Sequence, residues 1–257
     1  MNKESSSYTF IYAAILVILV AAALSIASGV LEPFQKRNIE IEKKKNILSA
    51  VHKLQGYEQA KDRNAFVLNG YKNYITTSLV LNSKGEEVRG DAFAIDLATE
   101  LKKTETTRSL PVFVCVEKDG EKRYIFPVRG TGLWGPIWGY VALCEDLNTI
   151  YGTNFAHKGE TPGLGAEIAT LAFQNQFKQK TLFEGDRFVS IQVMKGGAPQ
   201  GDQHAVDAIS GGTITSVGVQ SMIHDRMSSY LPFIHKMMAQ KKLQEMAAAD
   251  STQIKQQ

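Results

Sequence analysis

The segment Asp207-Ala208-Ile209-Ser210-Gly211-Gly212-Thr213-Ile214-Thr215-Ser216 is the stretch around which the rest of the chain is organised. It places two consecutive glycines and four hydroxyl groups directly before an amphipathic segment. Glycine lets a backbone approach a ligand closely, and Ser and Thr favour the first positions of helices. The free N–H groups at a helix start attract anions. The segment therefore predicts a capped helix start that could hold a phosphate, or a plain cap without a ligand.

The same segment resembles the flavinylation motif Asp-x-x-Ser-Gly-Ala-Thr of proteins that carry FMN on threonine. The matching positions are Asp207, Ser210, Gly211 and Thr213, while Gly212 stands where that family usually has alanine. In the family, a separate transferase joins the FMN phosphate to the final threonine hydroxyl.

Composition excludes several classes of protein. The chain has 257 residues, enough for one large or two modest domains, and a net charge of +3 that is too small to indicate nucleic-acid binding. Its two cysteines, Cys115 and Cys144, lie in apolar runs and are predicted to be buried thiols. Scattered histidines give no metal-ligand spacing, and no nucleophile motif is present, so no catalytic or metal-binding residue is predicted.

A long uncharged run near the amino terminus predicts a membrane-spanning helix. Residues 10–30 read FIYAAILVILVAAALSIASGV, and at the helical rise they would extend about 31 Å, enough to cross a bilayer core. A cleaved signal peptide is the alternative, but this apolar run is longer than a signal peptide's. The lysines and arginine between residues 36 and 45 favour a cytoplasmic position for the domain beyond them, although large domains translocate despite such charges.

The remaining pattern predicts alternating strands and helices. Residues 33–60 are predicted to be a charged helix, YITTSLVL a strand ending in a turn, and residues 92–103 a helix. PVFVCVEK and KRYIFPVR form a predicted hairpin, followed by the strands IWGYVALC and FVSIQVMKGG. After residue 216, the apolar positions 219, 223, 227, 230 and 234 predict a core-facing helix with a break or kink at Pro232.

Two further glycine-rich loops stand out. GTGLWG at residues 130–135 fits G-x-G-x-x-G formally, but strand-like residues follow it, so a dinucleotide-binding turn is rejected. This loop either presents Trp134 or buries it. HKGETPGLG at residues 157–165 contains a tight turn at Pro162-Gly163, and AEIATLAFQNQFKQ after it predicts a helix with Thr161 near its cap.

The order of these features resembles the family formed by the C subunit of the sodium-translocating NADH:quinone reductase, over nearly the whole chain. The resemblance rests on the single amino-terminal helix, the long insertion, GTGLWG-PIWGY, HKGETPGLG and DAISGGT. The related Rnf complex has a shorter G subunit with the same flavin motif, and the extended region at residues 40–110 favours the quinone reductase.

The resemblance implies a single-pass protein of the bacterial inner membrane, with a periplasmic domain that carries covalent FMN on Thr213. It implies a relay between NADH and quinone in a complex that exports sodium, with other subunits, a flavin transferase and the lipid bilayer as partners. It also implies a set of further cofactor-binding residues: Asp207, Ser210, Gly211, Gly212, Trp134, Glu160, Thr161, Gly163 and Leu164. Trp134 and Leu164 would make apolar contacts, and Thr161 polar ones.

The predicted fold is α+β, with one transmembrane helix followed by a mostly antiparallel sheet and packed helices. The predicted segments are a short amino-terminal piece (1–9), the spanning helix (10–31), a charged connector (32–60), an FMN-binding domain (61–238) and a polar tail (239–257). The alternatives are a G-type subunit of the Rnf complex and a non-redox, membrane-anchored binding domain.

Overall fold

A computed structural model of the chain describes residues 6–254 and contains five α-helices and ten strands over that range. The helices are α1 (Ser6–Ala50), α2 (Arg63–Tyr74), α3 (Leu97–Glu100), α4 (Leu171–Gln174) and α5 (Thr213–Ile254). The strands are β1 (Ile75–Leu81), β2 (Glu87–Val88), β3 (Leu110–Val116), β4 (Lys122–Thr131), β5 (Pro136–Leu143), β6 (Ile150–His157), β7 (Phe183–Glu184), β8 (Arg187–Phe188), β9 (Gln192–Met194) and β10 (Ala205–Asp207). Short 3-10 helices occupy Glu105–Thr107, Gly165–Ala169 and Asn175–Phe177.

The chain divides into two compact units between residues 43 and 44. The first unit is the greater part of α1, whose apolar side chains from Phe10 to Leu31 are largely exposed. Within the described residues, α1 is the one helix long and apolar enough to cross a membrane, with a mean hydropathy of 2.7 in its most apolar window. This assignment rests on length and composition.

The second unit is built on a six-stranded antiparallel sheet with the strand order β2-β1-β3-β4-β5-β6. Successive side chains of a strand point to opposite faces, and both faces of this sheet are covered. Val112 and Val114 of β3 face the core under α5, whereas Phe113 and Cys115 face the core that contains Ile47 of α1. The sheet is therefore buried on both sides, and the predicted α+β fold with a mostly antiparallel sheet is confirmed.

Helix α5 lies across β4 and begins at Thr213, within the Asp207–Ser216 segment. Its predicted apolar positions are all fully or almost fully buried: Val219, Ile223, Met227, Tyr230 and Ile234. The Tyr230 hydroxyl donates to the carbonyls of Pro111 and Pro127, at 3.0 Å and 3.3 Å. A Cβ on Gly218 would lie 2.5 Å from the Thr131 carbonyl oxygen, so glycine is required for the helix to approach the end of β4.

Several local predictions are correct and several are wrong. The strand at β1, the β3–β4 hairpin and the strand at β5 occur as predicted. The predicted helix at 92–103 is reduced to α3, and the predicted FVSIQVMKGG strand is reduced to β9, which pairs in parallel with β10. Helix α2 and strand β6 were not predicted, although Asp62 caps α2 by accepting a hydrogen bond from the backbone N–H of Ala65.

Two further predictions need correction. The helix predicted after HKGETPGLG is instead two 3-10 turns around α4, because the chain turns to bury Phe173 and Phe177 against Phe155. Helix α5 does not break at Pro232, because buried residues on both sides of the proline hold it against the sheet. The residues after 238 continue that helix to Ile254, consistent with their many strong helix formers.

The predicted border between the spanning helix and the charged connector lies inside α1. Helix α1 runs uninterrupted through residues 31 and 32 and ends at Ala50, before the predicted end of the connector.

Cys115 is buried as predicted, whereas Cys144 is only half-buried, and both are free thiols.

Candidate functional site

Three loops meet at the buried carboxylate of Glu160. They are the 130s loop (residues 130–135, between β4 and β5), the 160s loop (residues 157–165, after β6) and the threonine loop (residues 207–213, leading into α5). One oxygen of Glu160 accepts from the backbone N–H of Trp134 at 2.8 Å, and the other accepts from the hydroxyl of Thr215 at 2.6 Å. Glu160 is only 5% exposed. A carboxylate buried to this extent requires such partners, so Glu160 joins the 130s and 160s loops to the first turn of α5.

The backbone reinforces this junction. The N–H of Leu133 donates to the Thr215 hydroxyl oxygen at 3.3 Å, and the N–H of Glu160 donates to Nδ1 of His157 at 3.1 Å. Thr215 therefore donates to one loop and accepts from another. The start of α5 is held against both glycine-rich loops.

The glycines of two loops make room for the carboxylate. A Cβ on Gly132 would lie 2.6 Å from one Glu160 oxygen, and a Cβ on Gly165 would lie 2.4 Å from the other. Real Cβ atoms do not approach oxygen so closely, so any larger residue would push Glu160 out of place. The G-x-G-x-x-G pattern is explained in this way, since it joins two antiparallel strands and opens no helix.

The threonine loop ends in a tight turn before α5. Gly211 has a φ of 73°, and a Cβ there would lie 2.6 Å from Cδ2 of Leu164. A Cβ on Gly212 would lie 2.9 Å from the backbone carbonyl carbon and oxygen of Leu164. The glycine at 212, where the resembling motif has alanine, therefore fits a closer approach of the 160s loop.

The four hydroxyls of the segment fall into two pairs. Thr215 and Ser216 are buried, and the Ser216 hydroxyl donates to the Gly212 carbonyl at 2.9 Å and accepts from the Ile209 N–H at 3.0 Å. Ser210 is exposed and Thr213 is half-buried. Local residue chemistry did not choose among the four hydroxyls and the family resemblance indicated Thr213; in the structure Ser210 and Thr213 are the two that remain accessible.

Thr213 is the first residue of α5. The first N–H groups of an α-helix have no acceptor within the helix, and the helix dipole places partial positive charge there. An anionic group at Thr213 would therefore meet donors and a favourable field. This arrangement fits the phosphate of a nucleotide cofactor.

The other residues predicted from the sequence to bind the cofactor lie on the 130s and 160s loops, and most of them are exposed. Leu164 is exposed beside Gly211, and Trp134 is 70% exposed, so the 130s loop presents its indole and does not bury it. Thr161 is exposed, and its carbonyl accepts from the N–H groups of Leu164 and Ala166, both at 3.1 Å. Gly163 has a φ of 75°, as a tight turn requires.

Asp207 is directed away from the helix start. Its Oδ1 accepts from the backbone N–H of Ala198 at 2.7 Å, which ties the threonine loop to the preceding turn. Its own N–H donates to Oε1 of Gln176 at 2.8 Å. These contacts give Asp207 a role in holding the loop.

Sequence reasoning indicated Trp134 and Leu164 as apolar contacts but missed three further apolar residues near the junction, Leu133, Ile214 and Val217. Five large side chains on these loops and on the first turns of α5 are exposed: Leu133, Trp134, Leu164, Ile214 and Val217. Single exposed apolar residues are normal on protein surfaces, but a group of them marks a binding surface. The missed signal is the position of Ile214 and Val217 on the outward side of α5, opposite its buried stripe.

Comparison with known proteins agrees with this geometry. A family model described as the FMN-binding domain matches residues 132–228, a range that contains the Glu160 junction and Thr213. The chain is 32% identical over 235 residues to the C subunit of the Na(+)-translocating NADH-quinone reductase of Vibrio anguillarum, covering 85% of this chain and 89% of that protein. It is 29% identical over 254 residues to the same subunit of Yersinia pestis, covering 91% and 94% of the two chains.

Two solved structures share the fold. The crystal structure of the Na(+)-translocating NADH-quinone reductase C subunit from Parabacteroides distasonis superposes with a TM-score of 0.70 at 41% identity, covering 79% of this chain and 96% of that chain. The crystal structure of Shewanella oneidensis NqrC gives a TM-score of 0.67 at 27% identity, covering 80% and 99%.

Proposed function

Because the chain belongs to the family of C subunits of Na(+)-translocating NADH-quinone reductases, we propose that it is an FMN-carrying electron-transfer subunit of such a complex. The observation that carries this proposal is the half-buried hydroxyl of Thr213 at the start of α5, inside the range that matches the FMN-binding domain. In this proposal the chain is a relay, and NADH and quinone react at other subunits of the complex. Sodium export is coupled to the electron transfer.

The FMN is attached as a phosphoester to Thr213. Burial and hydrogen bonding make Thr215 and Ser216 unsuitable, which leaves Ser210 and Thr213. Thr213 matches the final threonine of the flavinylation motif, and it alone of these two lies in the first turn of α5. The phosphodiester keeps one negative charge, which the helix start stabilises.

Each loop contributes differently to the cofactor site. Trp134 on the 130s loop and Leu164 on the 160s loop offer exposed apolar surface and would contact the flavin ring. Thr161 and the N–H groups of its turn would make polar contacts. Glu160 accepts hydrogen bonds from the Thr215 hydroxyl and from the Trp134 N–H, so it positions the 130s loop relative to the first turn of α5.

The protein supplies binding, orientation and local polarity, while FMN when bound supplies the redox chemistry. Covalent attachment prevents loss of the cofactor. The β-branch of Thr213 restricts χ1 and so limits how the attached group can swing. The Glu160 junction holds the backbone at Trp134 against the first turn of α5, which begins at Thr213, because the same carboxylate accepts from the Trp134 N–H and from the Thr215 hydroxyl.

We also propose that α1 anchors the chain in the bacterial inner membrane, with the domain on the periplasmic side. The uncharged run in α1 supports the anchor, and family membership supports the side, whereas the charges between residues 36 and 45 favour the opposite one. Alkaline carbonate washing should leave the full-length chain in the membrane pellet, and protease added to intact spheroplasts should digest the domain. Digestion only after lysis would place the domain in the cytoplasm.

The partners in this proposal are the other subunits of the reductase, the lipid bilayer and a flavin transferase. Co-purification with reductase subunits distinguishes this assignment from a G-type subunit of the Rnf complex. A chain purified from its native host without any bound flavin would support the non-redox binding domain instead.

Thr213→Ala tests the attachment site. This variant should lose in-gel flavin fluorescence and the mass of one FMN less one water, while its free energy of unfolding changes by only about 0.5 kcal/mol, because a partly exposed hydroxyl contributes little to stability. Ser210→Ala is the matched control and should keep both signals. Fluorescence that persists in Thr213→Ala after denaturation would refute the assignment.

A further inference from the structure

A cleft with three arginines lies beside the first turns of α5 and is not used by the proposed FMN site. Its volume is about 580 Å³, and the residues that matter for its chemistry are Arg108, Arg129, Arg226, Asp225, Ile214 and Val217. Ile214 directly follows Thr213 in the chain, so the cleft opens next to the proposed site of flavin attachment.

The positive charges of Arg108 and Arg226 are weakly compensated, whereas Arg129 interacts with the Asp96 carboxylate. The nearest carboxylate oxygen to Arg226 is that of Asp225, at 4.0 Å, and the nearest to Arg108 is that of Glu105, at 3.6 Å, on a largely exposed side chain. Arg108 otherwise donates to the carbonyls of Lys103 and Leu101. The buried Nε of Arg226 has no acceptor within the part of the chain that the structure describes.

Burial and the neighbouring positive charge of Arg108 both disfavour the charged form of Arg226. Desolvation is the largest effect and lowers the pKa of its guanidinium, and Arg108 lowers that pKa as well. Asp225, Tyr230 and Glu105 raise it and offset these effects only in part. A guanidinium stays charged at any ordinary pH, so it cannot relieve this cost by losing its proton. A partly buried guanidinium without a close carboxylate is stabilised when an anion binds to it.

Geometry selects the kind of anion. Planar guanidinium groups match carboxylates through paired hydrogen bonds, and arginine is enriched at the centres of protein interfaces. Ile214, Val217 and Asp225 line the cleft and are themselves exposed, so its mouth is broad and flanked by apolar surface. Such a mouth fits a protruding protein segment better than a small molecule, which pockets enclose more completely.

We propose that this arginine cleft docks an acidic segment of a partner subunit, whose Asp or Glu carboxylates pair with Arg108 and Arg226. The inference rests on the proposed function, because the partner is a subunit of the same reductase. Docking here would bring that partner against the first turn of α5, beside Thr213, where electrons enter or leave.

The isolated full-length chain gives the first test. Arg226→Gln should leave its melting temperature unchanged or raise it, because the substitution removes a half-buried charge whose nearest carboxylate oxygen lies 4.0 Å away. Arg187→Gln is the matched control, since Arg187 lies in an exposed ion pair with Glu184 and does not line the cleft. A clear fall in the melting temperature of Arg226→Gln would mean that the cleft arginines serve the fold, and would overturn the proposal.

The assembled complex gives the second test. Tagged wild-type chain should co-purify with the other reductase subunits. Arg108→Gln and Arg226→Gln should each weaken that association by about tenfold or more. Added salt should lower the affinity of these variants less than it lowers the affinity of the wild type. Arg187→Gln should assemble normally. All variants should retain covalent flavin.

The outcomes separate this proposal from the proposed function. Normal assembly of Arg108→Gln and Arg226→Gln alongside a flavin-loaded, assembled wild type would overturn the docking site alone. Failure of the wild type to carry flavin or to assemble would overturn both. Tight calorimetric binding of pyrophosphate to the isolated chain, lost in Arg226→Gln while assembly stays normal, would show a small-anion pocket and overturn docking.

Discussion

Replacing Glu160 should disrupt the junction of the 130s loop, the 160s loop and the first turn of α5. Glu160→Ala removes the acceptor of the Trp134 N–H and of the Thr215 hydroxyl, at 2.8 Å and 2.6 Å. Hydrogen bonds to a charged group contribute about 1.5–3 kcal/mol each, but water can reach the exposed Trp134 side of the gap. We therefore expect a loss of about 3 kcal/mol in the free energy of unfolding, which for a domain of this size lowers the melting temperature by roughly 6–12 °C.

Two further variants calibrate this magnitude. Glu160→Gln keeps the shape and one acceptor but leaves the Thr215 hydroxyl without its charged partner, so a loss of about 1–2 kcal/mol is expected. Glu167→Ala is the matched control from the same region, because Glu167 accepts a single hydrogen bond from the N–H of Gly163 at 3.0 Å on the surface. It should cost about 0.5–1 kcal/mol. Denaturant unfolding of the full-length chain measures all three, and a Glu160→Ala loss no larger than that of Glu167→Ala would refute the role of Glu160.

Two other predictions concern the sheet domain. Burial raises the pKa of Tyr71 to about 12, with a smaller contribution from Asp91, so its neutral form favours the folded state below pH 10 and this contribution is lost as the pH rises toward 12. After allowance for solvent screening of this half-buried group, Tyr71→Phe should flatten the alkaline fall in unfolding free energy by about 1–2 kcal/mol, and an unchanged pH profile would contradict the assignment. Gly85→Ala should cost about 2–4 kcal/mol, because Gly85 has a φ of 70° and a Cβ there would lie 2.3 Å from the backbone nitrogen of Phe233. Gly120→Ala is its control: Gly120 has a φ of 90° with nothing within 4 Å of the added Cβ, so only about 1 kcal/mol should be lost, and equal losses in the two variants would refute the close contact.

Local patterns in the sequence determined a large part of this protein. The uncharged run at residues 10–30 predicts the apolar part of α1, and the Asp119-Gly120 turn between two apolar runs predicts the β3–β4 hairpin. The glycines and hydroxyls at 210–216 predict the start of α5, and its helical spacing predicts the buried stripe. These features depend on residues close together in the chain, so periodicity and turn chemistry are sufficient to find them.

Only the tertiary structure decided how the site is assembled. The Thr215–Glu160 hydrogen bond joins residues 55 positions apart, and the Leu133–Thr215 contact spans 82 positions. These contacts bury Thr215 and leave Thr213 at the surface, a difference between two similar threonines that no local pattern contains. The helix predicted after residue 165 fails for the same reason: packing of Phe173 and Phe177 on β6 outweighs the helical spacing of the segment. The sequence therefore indicated candidate residues for the site, and the packing of distant loops around one buried carboxylate determined that Thr215 is buried while Thr213 remains accessible.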